Sequence, residues 1–183
     1  MPSLSLPRSL ALTSALALAC CTPPPPQPLP PPVVQPSPTP TQAPPPVVQQ
    51  PVYDNWLDAP QTPGDWSYSS GGRSSVARFS QAGADKFVLF CDLGTRKVGL
   101  VRVPDVPGSA PRVMGVRTET TMRLLQASPI GGAGQLQVDL AATDPILDAM
   151  ALSRGRFAIE MQGEQTLYLR SWAEVTRVIE DCR

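Results

Sequence analysis

The chain has 183 residues, enough for one domain of ordinary size, and 24 of them are prolines, which cannot all lie within a packed core. It carries 15 basic and 15 acidic side chains and no histidine. That balance argues against a general attraction to nucleic acid or anionic lipid, and the missing imidazole removes Ser-His and Cys-His nucleophile pairs, histidine metal sites and the usual proton shuttle near neutral pH.

Residues 1–19 read as a secretory leader. One positive charge, Arg8, precedes the apolar run Ser9 to Ala19, and a small residue stands before Cys20. That run, about eleven residues, is too short for a hydrocarbon core that needs roughly 20. It therefore predicts a removable leader, not a permanent span. The stretch Ala17-Leu18-Ala19-Cys20 resembles the lipobox of bacterial lipoprotein precursors, with alanine just before the cysteine. The resemblance implies acylation at Cys20. Cys21 is the alternative, because shifting the frame restores leucine at the place where Ala17 stands. A thiolate is nucleophilic enough to take a diacylglycerol as a stable thioether, and two or three acyl chains anchor firmly where one does not. Neither cysteine is followed by aspartate, the residue that resembles an inner-membrane retention signal, so the outer membrane is the expected destination.

From Thr22 to Val52 the chain holds fifteen prolines and no charge. Proline fixes φ and withholds a backbone donor, so residues 22–52 predict a disordered stalk in polyproline II, which at about 3.1 Å per residue could reach on the order of 90 Å. The hexapeptide PPPVVQ occurs twice, at 30–35 and 44–49, as in a duplicated spacer.

Composition changes near Tyr53, where a globular domain, residues 53–183, is expected. Pro60 and Pro63-Gly64-Asp65 provide turn chemistry before a strand at 66–69. Tyr53, Trp56, Trp66 and Tyr68 either stack on a sugar or protein surface or cover an open end of the core. Strand-like runs then recur at 76–79, 86–91, 97–103, 112–117, 121–126, 135–140, 156–161 and 166–170, separated by Gly, Pro, Asp and Ser. Alternation is clearest in Leu136/Val138/Leu140 and Phe157/Ile159/Met161, whereas the run Lys86 to Phe90 is apolar on both faces, as in a central strand covered on each side.

Two helices are predicted. The first has Asp144 as N-cap, Pro145 in its first turn, Ile146, Leu147, Met150 and Ala151 on one face and Gly155 as terminator. The second opens on a capping box, Ser171 with Glu174, and lines Trp172, Val175, Ile179 and Cys182 along one side. The fold class that follows is mainly β: a small antiparallel β-sandwich or partly open barrel with two short helices, preceded by the disordered proline-rich linker.

Cys91 ends the most apolar strand and Cys182 lies on the inner face of the last helix. In an exported, oxidising setting these two are expected to form a disulfide; buried free thiols are the alternative. No catalytic, cofactor or metal site emerges. The glycine-rich stretch 128–135 lacks the Lys-Ser/Thr of a phosphate loop, and Glu160, Glu164, Glu174, Glu180 and Asp181 have no spacing that demands proximity. Seven arginines between Arg73 and Arg123 would make an anion-binding patch only if they shared one sheet face.

From Trp66 onward, Gly64-Asp65-Trp66, a cysteine after an apolar strand, Gly155 to Gly163, Thr166 to Ser171 and a short C-terminal helix resemble the invasion-associated locus B group of exported bacterial β-sandwich proteins. That resemblance implies surface interaction or envelope adaptation, not catalysis. The function expected is a non-enzymatic envelope lipoprotein, held to the membrane by its lipid and presenting a β-rich domain to an envelope or surface protein, with no nucleic acid and no cofactor. A periplasmic binding protein resembling the lysozyme-inhibiting lipoproteins is the alternative, with Ser69 to Ser75 as a loose echo of their serine-glycine loop; an envelope enzyme comes third.

Overall fold

The computed structural model describes residues 53–131 and 134–183. A single 3-10 turn, Trp56–Asp58, is capped by the Asn55 side chain and opens the domain. Strands β1 (Asp65–Gly71), β2 (Ser74–Gln81), β3 (Ala84–Asp92), β4 (Lys97–Arg102), β5 (Arg112–Arg117), β6 (Met122–Ile130) and β7 (Gln135–Ala141) follow. Helix α1 (Pro145–Ala151), strands β8 (Arg156–Met161) and β9 (Leu167–Arg170) and helix α2 (Ala173–Asp181) complete it.

All strand pairs are antiparallel, in the order β1-β2-β3-β4-β7-β6-β5-β8-β9. Of the two expected architectures the partly open barrel is the one formed, because a single strand turns the corner. Residues 122–127 of β6 pair with β5, and Ser128, Pro129 and Ile130 pair with β7. The sequence pattern ends this strand at 126, since Ser-Pro followed by glycines has the signature of a loop. Pro129 instead lies where β6 leaves one partner for the next, a place where a missing donor is tolerated.

The concave face is dry. Across β3, β4 and β7 the triplets Cys91/Val98/Leu140, Leu89/Leu100/Val138 and Phe87/Arg102/Leu136 stack in register, and all are buried. Met114 and Val116 of β5, Phe157 and Ile159 of β8 and Leu169 of β9 complete the lining. Trp66 stands among Phe79, Phe87 and Phe157 at centroid distances of 5.6–6.4 Å and donates its Nε1–H to the Arg170 carbonyl at 3.0 Å. This one indole thus ties β1 to β9, the two ends of the sheet.

Strand β3 corrects one expectation. Phe87, Leu89 and Cys91 point inward, whereas Val88 and Phe90 lie half-buried on the convex face. Phe90 is apolar for a local reason: its ring covers Gly99, directly opposite on β4, where a Cβ would stand 2.1 Å from the ring. An aromatic side chain here fills the surface that glycine leaves bare.

Both helices close the concave side. Asp144 caps α1 through the Ile146 amide, as its position predicted, and Ile146, Leu147 and Met150 are buried. The predicted capping box of α2 does not form. Ser171 donates its hydroxyl to the Met150 carbonyl at 2.9 Å and its amide to Gly155, which assigns it to the connection from β9 and makes Trp172 the N-cap, with no side-chain cap bond. Trp172 consequently turns outward beneath the Arg170 guanidinium, 5.0 Å from its ring, and Val178 takes the inner position expected of it. Helix α2 lies against β1, β2 and β3, where Cys182 meets Cys91 in a disulfide with a Cα separation of 5.4 Å.

Candidate binding face

The acylation candidates Cys20 and Cys21 lie outside the described residues. Within the domain, the four aromatics grouped in the sequence are separated by the fold. Trp66 is core, and Tyr68 donates its hydroxyl to Asp181 of α2 at 2.6 Å, under the Arg177 guanidinium. Tyr53 alone joins a surface cluster, and it does so with Tyr168 of β9.

Five of the seven arginines are taken up by acidic partners. Arg78 faces Asp85, Arg117 bonds Glu160 at 2.6 Å, Arg123 bonds Asp144, and Arg102 and Arg112 turn inward to Glu164. Ser69 to Ser75 forms the tip of the β1–β2 hairpin, with Gly71 paired to Ser74. Among the described residues no three His, Cys, Asp or Glu side chains are grouped to hold a metal ion, and no helix is long and apolar enough to cross a membrane.

A buried polar cluster went unnoticed in the sequence. Arg102 and Glu164 are each 1% exposed at the side chain, at the end of the concave face where Arg102 follows Leu100. Glu164 accepts from the Asp105 amide at 2.8 Å, from the Val106 amide at 3.4 Å and from Arg112 Nη1 at 3.1 Å, with Arg102 Nη2 at 4.0 Å. Arg102 donates to the carbonyls of Lys86, Val103 and Gln165. Burial pulls the Arg102 guanidinium below its ordinary pKa, against the opposing pull of Glu164 and Asp105. Through these contacts the arrangement holds the β4–β5 connection to the β8–β9 turn. Its geometry is that of a pin.

The outward face of β6, β5, β8 and β9 is different. Strand register places Leu124, Gly115 and Glu160 in one row and Met122, Arg117, Ala158 and Tyr168 in the next. Leu124 is 68% exposed, and Val113 and Met122 are exposed beside it. Gly115 is the floor between them, since a Cβ there would stand 3.3 Å from Met122 Cε and 3.5 Å from Leu124 Cδ2. The apolar stripe ends at the Arg117–Glu160 pair. Beyond the pair, Tyr168 meets Tyr53 edge to face, ring centroids 6.4 Å apart and planes at 87°.

This end of the face is built by the chain just before β1. Thr62 donates its amide to the Tyr168 carbonyl at 3.0 Å and accepts the Tyr168 amide on Oγ1 at 2.8 Å. Arg156 donates to the Ala59 carbonyl at 2.6 Å, and Arg170 Nε to Gln61 Oε1. The segment so fastened covers the edge of β9 and leaves a cleft of about 320 Å³ lined by Tyr53, Tyr168, Pro60 and Pro63, with Gln61, Thr62, Gln165 and Thr166 around it. Burial, then the nearby Glu160 carboxylate, raises the Tyr168 pKa above the usual phenol value, with Arg117 opposing. Its hydroxyl is a donor throughout the physiological range. Set against protein-family models, curated proteins and solved structures, the chain finds no match.

Proposed function

We propose that the chain is a non-enzymatic lipoprotein of the bacterial cell envelope, anchored through Cys20 and presenting its β-rich domain on the proline-rich stretch as a binding module. The observation that carries this reading is the disulfide between Cys91 and Cys182. Such bonds persist in exported proteins and are rare where thiols are kept reduced, and here the bond stands downstream of a leader-like stretch, residues 1–19, followed by Cys20, a cysteine suited to acylation. The exposed Val113, Met122 and Leu124 stripe supports a binding role, because scattered single apolar residues are ordinary and a contiguous group on one sheet face is not.

Metabolic labelling with a fatty-acid analogue, followed by fractionation, tests it. Label is expected in the wild type and in Cys21→Ser, lost in Cys20→Ser, and found with membranes. A mature polypeptide that begins elsewhere, carries no lipid and leaves Cys91 and Cys182 as reactive thiols overturns the proposal. Selective retention of a lysozyme by the domain would shift the partner class to the inhibitor reading.

A further inference from the structure

We infer that the cleft between Tyr53 and Tyr168 binds a neutral saccharide, with a sugar ring against the tyrosines and its hydroxyls on the amide and hydroxyl side chains at the rim. This deepens the binding-module reading by naming a ligand class, and it does not depend on the lipid anchor.

The lining decides the charge of the ligand. None of the eight residues around the cleft is ionic, so neither an anion nor a cation would find a counter-charge in contact. The lining also decides polarity. Two tyrosine planes at right angles offer apolar area with hydroxyl tips, and Gln61, Thr62 and Gln165 surround them. A sugar ring has that same division, with C–H faces for the rings and hydroxyls at its edge. At about 320 Å³ the cleft is at the small end of the roughly 300–1,000 Å³ typical of small-molecule sites.

The polar groups are held in place before any ligand arrives. Arg170 donates to Gln61 Oε1, which turns the Gln61 amide nitrogen away and leaves its two N–H groups to donate. Thr62 Oγ1 accepts the Tyr168 amide and keeps its own hydrogen for a second acceptor. Fixing these side chains in the free protein lowers the ordering cost of binding. An extended proline-rich peptide is the rival occupant for a tyrosine-lined groove. Its prolines bring carbonyl acceptors and no backbone donors, whereas every saccharide hydroxyl donates as well as accepts and so also matches the oxygen of the Gln165 amide.

The test titrates the full chain, with Cys20→Ser and Cys21→Ser to keep it free of acyl groups, by calorimetry. The probes are chitotetraose and cellotetraose, with tetragalacturonate as the anionic counterpart and the peptide PPPVVQQP as the rival. Saturable binding of at least one neutral oligosaccharide is expected, weakened about tenfold by Tyr53→Ala and several-fold by Gln165→Ala, an exposed position whose loss leaves the fold intact. Circular dichroism checks each variant, and Gln165→Ala carries the test if Tyr53→Ala melts early. Absence of saturation by either neutral sugar at about 10 mM, stronger binding of the peptide or the anionic sugar, or affinities that both substitutions leave within twofold would overturn the inference.

Discussion

Replacing Glu164 by glutamine keeps the shape of the side chain and removes its charge from a site where that charge has no water to replace it. The carboxylate faces two backbone amides, Asp105 and Val106, and two guanidiniums, Arg102 and Arg112. Breaking one partner of a buried pair generally costs about 3–5 kcal/mol, because the other charge stays buried and unmatched. Here the lower figure applies. Arg112 reaches solvent at 23% exposure, and Arg102 keeps its three carbonyl partners. A loss of about 3 kcal/mol corresponds to a melting temperature lower by roughly 10 °C for a domain of this size. Urea unfolding and thermal melts followed by circular dichroism measure both. Arg102 Nε already lacks a partner, but the double change Arg102→Met with Glu164→Met would strip partners from the Asp105 and Val106 amides and from the Lys86, Val103 and Gln165 carbonyls, so it should stay at least as destabilised as Glu164→Gln. If Glu164→Gln alone stays within 1 kcal/mol, the cluster does not pin the β4–β5 connection, and the reasoning fails.

Other perturbations have equally definite outcomes. Replacing both Cys91 and Cys182 by alanine opens a loop spanning 91 residues, which in the chain-entropy description costs about 4–5 kcal/mol; urea midpoints with and without reductant should show it, and reductant should leave the double variant unmoved. Gly99→Ala forces the Phe90 ring off its seat and should destabilise by about 1–2 kcal/mol, a penalty that largely disappears when Phe90→Ala is already present. The Tyr68 hydroxyl holds the Asp181 carboxyl below its usual pKa. A depressed folded-state value stabilises above the unfolded pKa of about 3.9, so the deficit of Tyr68→Phe, under about 1 kcal/mol at this half-buried site, should be present at pH 7 and fade as acid titrates Asp181.

Strands and α1 are legible in the sequence because each is specified by signals within a few residues. Period-two alternation marks β7 and β8, and Asp144-Pro145 before Ile146 marks the start of α1. Expectations slip where a local signal meets a tertiary competitor. Ser171 has the spacing of a capping box, yet its hydroxyl finds the Met150 carbonyl 21 positions earlier in the chain, and the helix starts without it. Pro129 reads as a strand breaker, yet the sheet changes partners there and needs no donor from it. Lys86 to Phe90 reads as doubly covered, although one of its two apolar faces is answered by a single glycine across the ladder.

The candidate face is illegible in the sequence for a related reason. Sequence proximity grouped Tyr53 with Trp56, Trp66 and Tyr68, but strand alternation sends Trp66 inward, and the hydrogen bonds of Thr62 carry the chain before β1 along β9. Tyr53 therefore meets a residue 115 positions away, in a strand where Leu167 and Leu169 point inward and Tyr168 must point out. The period that placed the two leucines also exposed Tyr168, but nothing in that period says which strand edge the lead-in will cover. Four contacts share that choice: the Trp66 indole bonds Arg170, Thr62 bonds Tyr168, Arg156 bonds Ala59 and Arg170 bonds Gln61, and together they bring two tyrosines so far apart to one cleft.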